Sequence, residues 1–352
     1  MNKQVKKRLP RKKRRKKQKK NKSIKVPVIT GILYIIVFLI ITTPIVLLYG
    51  PYDNTRKVLI STVLATRHSY LINKFVPQDI LDNILGVNQD NSNIEESVQV
   101  NSSIDINKVN VKCKTGNEVI KYDIHTDRYD GYILEIKNPL KVKVAMTKHL
   151  GKLGQKTSEM AEEHNAVAAI NGGSFVDKSS DGVTYAGTGG EPGGFVISDG
   201  KVIYPTSEYN ENKKENVIAF TKTGVLIVGN RSLSQLKKLN VQEAICFRPP
   251  NIIINGKKQI KNKFEEGFNP RTAVGQKEDG TVLFLVLDGR KLLKPGASLY
   301  DVQEIMLDSG AINAGMLDGG YSTTMYYRGD VINSPNAWDG ERTVATAFYV
   351  EE

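Results

Sequence analysis

Hydrophobic and polar positions divide the chain into stretches of different period. Residues 26–49 are apolar throughout and carry no charged side chain. At about 1.5 Å per residue, roughly 24 helical residues reach ~36 Å, enough for a ~30 Å hydrocarbon core. This predicts a transmembrane helix over 26–49, with Pro44 as a tolerated kink. Over 50–86, apolar residues recur at near-helical spacing, first around Val58, Val63 and Leu64, then at Ile80, Leu81, Ile84 and Leu85. Pro77 interrupts that pattern and Gly86 closes it, so a juxtamembrane helical segment is expected. Residues 87–107 are polar, with an Asn-Gln-Asp-Asn-Ser-Asn run from Asn88 to Asn93, and read as a linker.

From about residue 108 the pattern changes to short apolar runs broken by turn residues. Strands are predicted over 131–136, 142–146, 166–170, 195–198, 202–204, 217–220, 225–228, 252–254, 281–287 and 343–350. Asp199-Gly200, Thr223-Gly224 and Asn255-Gly256 are hairpin signals. Helical periodicity is found at 158–164, with Thr157 as the expected N-cap. It is clearest at 298–309, where Leu299, Val302, Ile305 and Met306 share one face. Strand pairs with few helices predict an α+β domain over 108–352 built on a mixed β-sheet. Its ~240 residues suffice for one substantial core.

Charge changes the picture at the N-terminus only. The formal net charge of +13 is concentrated in residues 1–25, which hold fifteen Lys or Arg and no acid. The rest of the chain has 35 basic against 37 acidic residues, a net of −2. A basic tail beside an apolar run predicts a cytoplasmic N-terminus, with the following domain extracytoplasmic. The same adjacency argues against nucleic acid as the partner of the tail. Cys113 and Cys246 are the only cysteines, and their pairing is left open. The four histidines, His68, His125, His149 and His164, form no zinc spacing. A hard cation where Asp288, Asp318 and Asn171 converge is left open, no calcium-loop spacing being present, and no metal or other cofactor is assigned.

The candidate chemistry lies in loops beside apolar runs. Leu317-Asp318-Gly319-Gly320-Tyr321-Ser322-Thr323-Thr324-Met325 joins a carboxylate, two glycines and three hydroxyls. Asn171-Gly172-Gly173-Ser174-Phe175 follows the run 166–170. Pro270-Arg271-Thr272-Ala273-Val274-Gly275 precedes the run 281–287, which ends in Asp288-Gly289-Arg290. Each motif alone reads as an ordinary turn. Three in one domain, with complementary charges, point to a site held by a rigid scaffold.

Taken in order with Glu341-Arg342-Thr343-Val344, these motifs resemble the phosphodiester glycosidase family, from about Asp130 to the C-terminus. That family includes the enzyme that uncaps the mannose 6-phosphate signal by removing N-acetylglucosamine, and many bacterial exopolysaccharide-associated proteins. The resemblance implies a hydrolase acting on sugar 1-phosphodiesters in cell-envelope or exopolysaccharide metabolism. Such chemistry needs cations or amides on the phosphate and a carboxylate near the anomeric carbon. Asp318 is the expected catalytic carboxylate, as nucleophile or as base for water, with Asp288 as its partner. Arg271 is the first candidate for the phosphate, and Arg290 and Arg342 are the second. Backbone amides of Gly172, Gly173, Gly319 and Gly320 are candidate anion donors. Asn171 is expected to hold a sugar hydroxyl or orient Asp318, and Ser322 and Thr323 to bond phosphate or sugar oxygens. Tyr321 stands where the family often has a small residue. A glycan-binding or polysaccharide-assembly protein without turnover is the alternative reading.

Overall fold

The computed structural model describes residues 25–49, 105, 108–112, 118–176, 189–264, 266–291, 293–337 and 340–352. The expectations placed on residues 1–24, 50–86, most of 87–107 and Cys113 lie outside the described residues. The chain divides into two units, Met1–Tyr52 and Asp53–Glu352.

In the first unit the helix Lys25–Tyr49 forms where the apolar run predicts one. It continues past Pro44, and its described side chains are solvent-facing, Tyr34 being 74 % exposed. No helix among the described residues is long and apolar enough to cross a membrane. What the structure carries of the expected span is the helix itself.

Among the described residues, the second unit is built from three antiparallel sheets and a short ribbon. The largest sheet orders its strands Val119–His125, Asp130–Ile136, Val282–Leu287, Arg271–Lys277, Ala311–Met316, Ile253–Ile254 and Lys257–Lys258. The second orders Leu226–Ser232, Lys214–Thr221, Val241–Cys246, Val196–Ser198 and Lys201–Tyr204. The third orders Asp330–Val331, Met325–Tyr327, Ala166–Asn171, Thr346–Glu351 and Val142–Met146. Phe175–Val176 pairs with Glu191–Pro192 as the ribbon.

The mostly β architecture with few helices is as expected, but the mixed sheet is corrected: every strand pair among the described residues is antiparallel. Parallel neighbours need crossover connections of a dozen residues or more, whereas tight turns join antiparallel strands. Asp199 and Gly200 both adopt positive φ, as do Asn255 and Gly256, which is the backbone twist that closes two-residue hairpins.

One core runs through all three sheets. The ring of Phe348, in the third, lies 5.8 Å from that of Phe220 in the second and 6.4 Å from that of Phe284 in the first. Helix Leu299–Asp308 forms as predicted, and Ser298 caps it by accepting from Asp301 N at 3.2 Å. It buries Leu299, Val302 and Met306. Gly275 makes room for it, since a Cβ there would lie 3.0 Å from Met306 Sδ. Helix Thr157–Glu163 also forms, but Thr157 is its first residue and not its cap. Its open N-terminal amide at Ser158 donates instead to Glu341, 183 residues away.

A second correction concerns Arg271–Lys277. Read from sequence as a loop motif, it is a central strand with both neighbours antiparallel to it. It is buried on both faces, so it shows no alternation, and Pro270 and Gly275 resemble breakers.

Candidate active site

The strands flanking Arg271–Lys277 run in the same direction as each other, because both are antiparallel to it. Val282–Leu287 therefore delivers Asp288, and Ala311–Met316 delivers Asp318, to the same end of the sheet. The third sheet brings Asn171 there, and the second brings the segment 247–250.

Asn171 fastens these pieces together. It is fully buried; its Nδ2 donates to Asp318 O at 2.6 Å. Its Oδ1 accepts from Thr272 Oγ1 at 2.8 Å and from Thr324 N at 3.1 Å. These contacts tie Asn171 to the backbone of the Asp318 loop. Asp318 N donates to Gly172 O at 3.1 Å, Leu317 N to Thr272 O at 2.9 Å and Gly320 N to Pro270 O at 2.9 Å. The backbone around Asp318 is thus pinned on both sides.

Its side chain enters a cavity of about 150 Å³. The polar lining comprises Arg248, Glu266, Asn269, Arg271, Arg290, Asp318, Tyr321 and Arg342. Four arginines face two carboxylates, so the cavity favours an anionic guest. Burial pushes the Asp318 carboxyl above the usual carboxylate range, against the pull of Ser322, Arg342, Arg248 and the Gly319 amide. Ser322 Oγ favours the charged form of Asp318, although it completes no well-aligned hydrogen bond.

The other carboxylate, Glu266, responds in the opposite sense. Burial alone would raise it, but ion pairs with Arg248 and Arg271 outweigh burial and hold it below the usual range. Arg248 grips it bidentately, Nη2 lying 2.8 Å from Oε2 and Nη1 closer still to Oε1.

Several expected ligands are engaged elsewhere. Arg271 lines the cavity but is only 5 % exposed. Its Nε donates to Ala297 O, Nη1 to Glu266 Oε2, and Nη2 to the carbonyls of Glu266 and Gly267. It therefore braces the 266–267 turn instead of offering a free fork to phosphate. The glycine amides are likewise taken: Gly172 N by Thr346 O, Gly173 N by Thr346 Oγ1, and Gly320 N by Pro270 O. These glycines serve close packing. A Cβ at Gly173 would lie 2.2 Å from Cys246 O, and one at Gly319 would lie 2.7 Å from Pro270 O.

Asp288 is not part of the cavity lining. It is 5 % exposed and accepts from Asn333 Nδ2 at 3.0 Å and from Ser334 N at 3.1 and 3.0 Å, with Lys291 Nζ at 3.7 Å. Expected as the partner of Asp318, it has here the contacts of an anchor for the 333–334 loop. Thr323 is buried outside the lining, and its carbonyl also serves Asn333. Tyr326 is packed in the core.

Arg290 and Arg342 do reach the cavity. Arg290 lies over the Tyr321 ring at 4.5 Å, and Arg342 over the Phe175 ring at 4.5 Å. Sequence reasoning missed Arg248 and Glu266. The only signals were an arginine before Pro249-Pro250 and a glutamate just ahead of the Pro270-Arg271 motif. Cys246 is a free, buried thiol that donates to Phe195 O. No group of three His, Cys, Asp or Glu able to hold a metal occurs among the described residues.

Comparison with known proteins places this arrangement. The model of the phosphodiester glycosidase family matches residues 164–351, a little over half of the chain. An uncharacterised SPbeta prophage-derived protein of Bacillus subtilis (strain 168) is 44 % identical over 83 residues, 23 % of this chain and 13 % of that protein. The N-acetylglucosamine-1-phosphodiester alpha-N-acetylglucosaminidase of Mus musculus is 25 % identical over 186 residues, 46 % of this chain and 35 % of the mouse protein. The chain thus spans about a third or less of these curated relatives. In fold, it is similar to the catalytic domain of the zebrafish N-acetylglucosamine-1-phosphodiester alpha-N-acetylglucosaminidase auto-inhibited by its pro-peptide. The TM-score is 0.55 at 22 % identity, covering 69 % of this chain and 87 % of that one. With its family motifs spread over the strand ends that build one arginine-lined cavity, the chain belongs to the phosphodiester glycosidase family.

Proposed function

We propose that this chain hydrolyses sugar 1-phosphodiesters of the N-acetylglucosamine type, with Asp318 as general base. The observation that carries the reading is a carboxyl raised by burial in a cavity where arginines outnumber carboxylates. Water attacks the anomeric carbon and gives its proton to Asp318. The bond from that carbon to the bridging oxygen breaks, and the phosphomonoester leaves with the electron pair. Arg290, Arg342 and Arg248 offset the charge that gathers on the leaving group. A phosphate is a good leaving group, so no strong general acid is required. A carboxyl titrating closer to neutrality is a better base than an ordinary one. Arg248 meets the substrate in competition with Glu266, which occupies its fork.

We further propose that the helix Lys25–Tyr49 anchors the protein in the cell membrane, tail inward, for work on cell-envelope or exported polysaccharide. The uncharged apolar run 26–49, the exposed helix and the fifteen cations of residues 1–25 support this. Retention of the full chain in the membrane pellet after alkaline carbonate extraction is the expected result, and its release would remove the anchor.

The activity is tested with the detergent-solubilised full chain and an α-linked N-acetylglucosamine 1-phosphodiester. Sugar release by the wild type, lost in a folded Asp318→Asn variant, is expected. Saturable glycan binding without release, unchanged by Asp318→Asn, would favour the non-catalytic alternative.

A further inference from the structure

Tyr321 occupies a position the reaction itself does not require. It lines the cavity, is 38 % exposed, and directly follows the glycine pair of the Asp318 loop. The Arg290 guanidinium lies over its ring, with the guanidinium carbon 4.5 Å from the ring centroid. Arg290 is also fixed along one edge, where Nε and Nη2 donate to Asn269 Oδ1 at 3.3 and 3.1 Å. The backbone of Gly320 comes close as well, because a Cβ there would lie 2.9 Å from Arg290 Nη2. Arg290 itself holds a positive φ of 57°, an unusual state for a residue with a side chain. Its amide donates to Pro295 O at 2.9 Å.

These constraints leave one nitrogen over. Arg290 Nη1 is buried and makes no hydrogen bond. A buried cationic donor without an acceptor is unfavourable unless a ligand supplies one, and an oxyanion does so best. A guanidinium on a flexible stem would not keep that nitrogen aimed; a ring packed against it does.

We infer that Tyr321 is a positioning residue, which by stacking on Arg290 holds Nη1 toward the substrate's phosphoryl oxygens and so favours anionic 1-phosphodiesters over neutral glycosides of the same sugar. This rests on the cavity being the phosphodiester site. It assigns a selective role to the residue at which this chain departs from the small residue common in the family.

The test compares the wild-type full chain with Tyr321→Ala, Tyr321→Phe, Arg290→Gln and the Tyr321→Ala/Arg290→Gln double variant. Each is assayed for kcat and KM on the methyl phosphodiester of N-acetylglucosamine 1-phosphate and on a neutral aryl glycoside of that sugar. Methyl phosphate binding is measured alongside by calorimetry. The ring's removal is expected to raise KM for the phosphodiester and weaken methyl phosphate about tenfold, or roughly 1.4 kcal/mol, with little change in kcat. Phe should restore wild-type values, and the double variant should be no worse than Arg290→Gln alone. Effects of the two substitutions that simply add, or methyl phosphate binding indifferent to both, would overturn the inference. If the wild type turns over no phosphodiester yet binds methyl phosphate in a Tyr321- and Arg290-dependent way, the positioning role stands and the hydrolase reading falls.

Discussion

Two carboxylates leave the ends of the two strands that flank Arg271–Lys277, each followed by glycine, and they are put to opposite uses. Asp288 meets the amide of Ser334 and the side chain of Asn333, which satisfy its charge and lock a loop in place. Asp318 has its backbone clamped by Asn171, Gly172 and Thr272, while its carboxyl is left in a cavity where burial raises it. A carboxylate saturated with donors is a structural part. One held rigidly but incompletely solvated is poised to take a proton. The arginines repeat the lesson. Arg271 has its donors in protein bonds, whereas Arg290 keeps a buried nitrogen without a partner.

The sharpest way to break this contrast is to neutralise each acid. Asp318→Asn should lower kcat/KM by about 10²–10⁴-fold, the usual contribution of a positioned base, with the unfolding transition intact. Comparable turnover in the variant would remove Asp318 from the chemistry. Arg271→Met should act on the fold instead. Leaving Glu266 without this buried partner is expected to cost about 3–5 kcal/mol in denaturant unfolding. Asp288→Ala should cost about 1–3 kcal/mol by stranding the Asn333 and Ser334 donors, while the folded fraction retains its kcat. A stable Asp288 variant with lost turnover would reverse the assignments of the two acids. Arg248→Gln should raise KM for phosphodiesters about tenfold, since the cavity loses one cation.

The smallest effect is also the most diagnostic, because its sign is fixed. A carboxyl raised in the folded state contributes stability that is fully present below its unfolded pKa. That contribution is lost as pH rises through the folded value. Asp318→Asn should therefore be more stable than wild type at neutral pH, and the gain should shrink as pH falls toward the ordinary carboxylate range. The acidic limb of the wild-type kcat/KM profile should lie above that range, since the base must be ionised. Thermal melts across pH, paired with the rate profile, check both.

Much of this was legible beforehand. Hairpin turns at Asp199-Gly200 and Asn255-Gly256, and the helix opening at Ser298, follow from local backbone preferences that depend on few neighbours. The motif order carried the family, and Asp318, Arg290 and Arg342 do share a cavity. The central strand Arg271–Lys277 escaped notice because burial on both faces erases the alternation that marks a strand. Arg248 and Glu266 escaped because an arginine beside prolines and a glutamate in a loop look like ordinary surface charge.

The sequence by itself determined the local elements, the residue types available for chemistry and the family they belong to. Those depend on interactions over a few residues or on the order of motifs. Only the tertiary structure decided which charges are free to act. Whether a buried polar group is satisfied depends on partners from remote segments: Asn333 for Asp288, the 266–267 turn for Arg271, and Asn269 and Tyr321 for Arg290. No local pattern encodes those meetings, because they arise where antiparallel strands from three sheets end together.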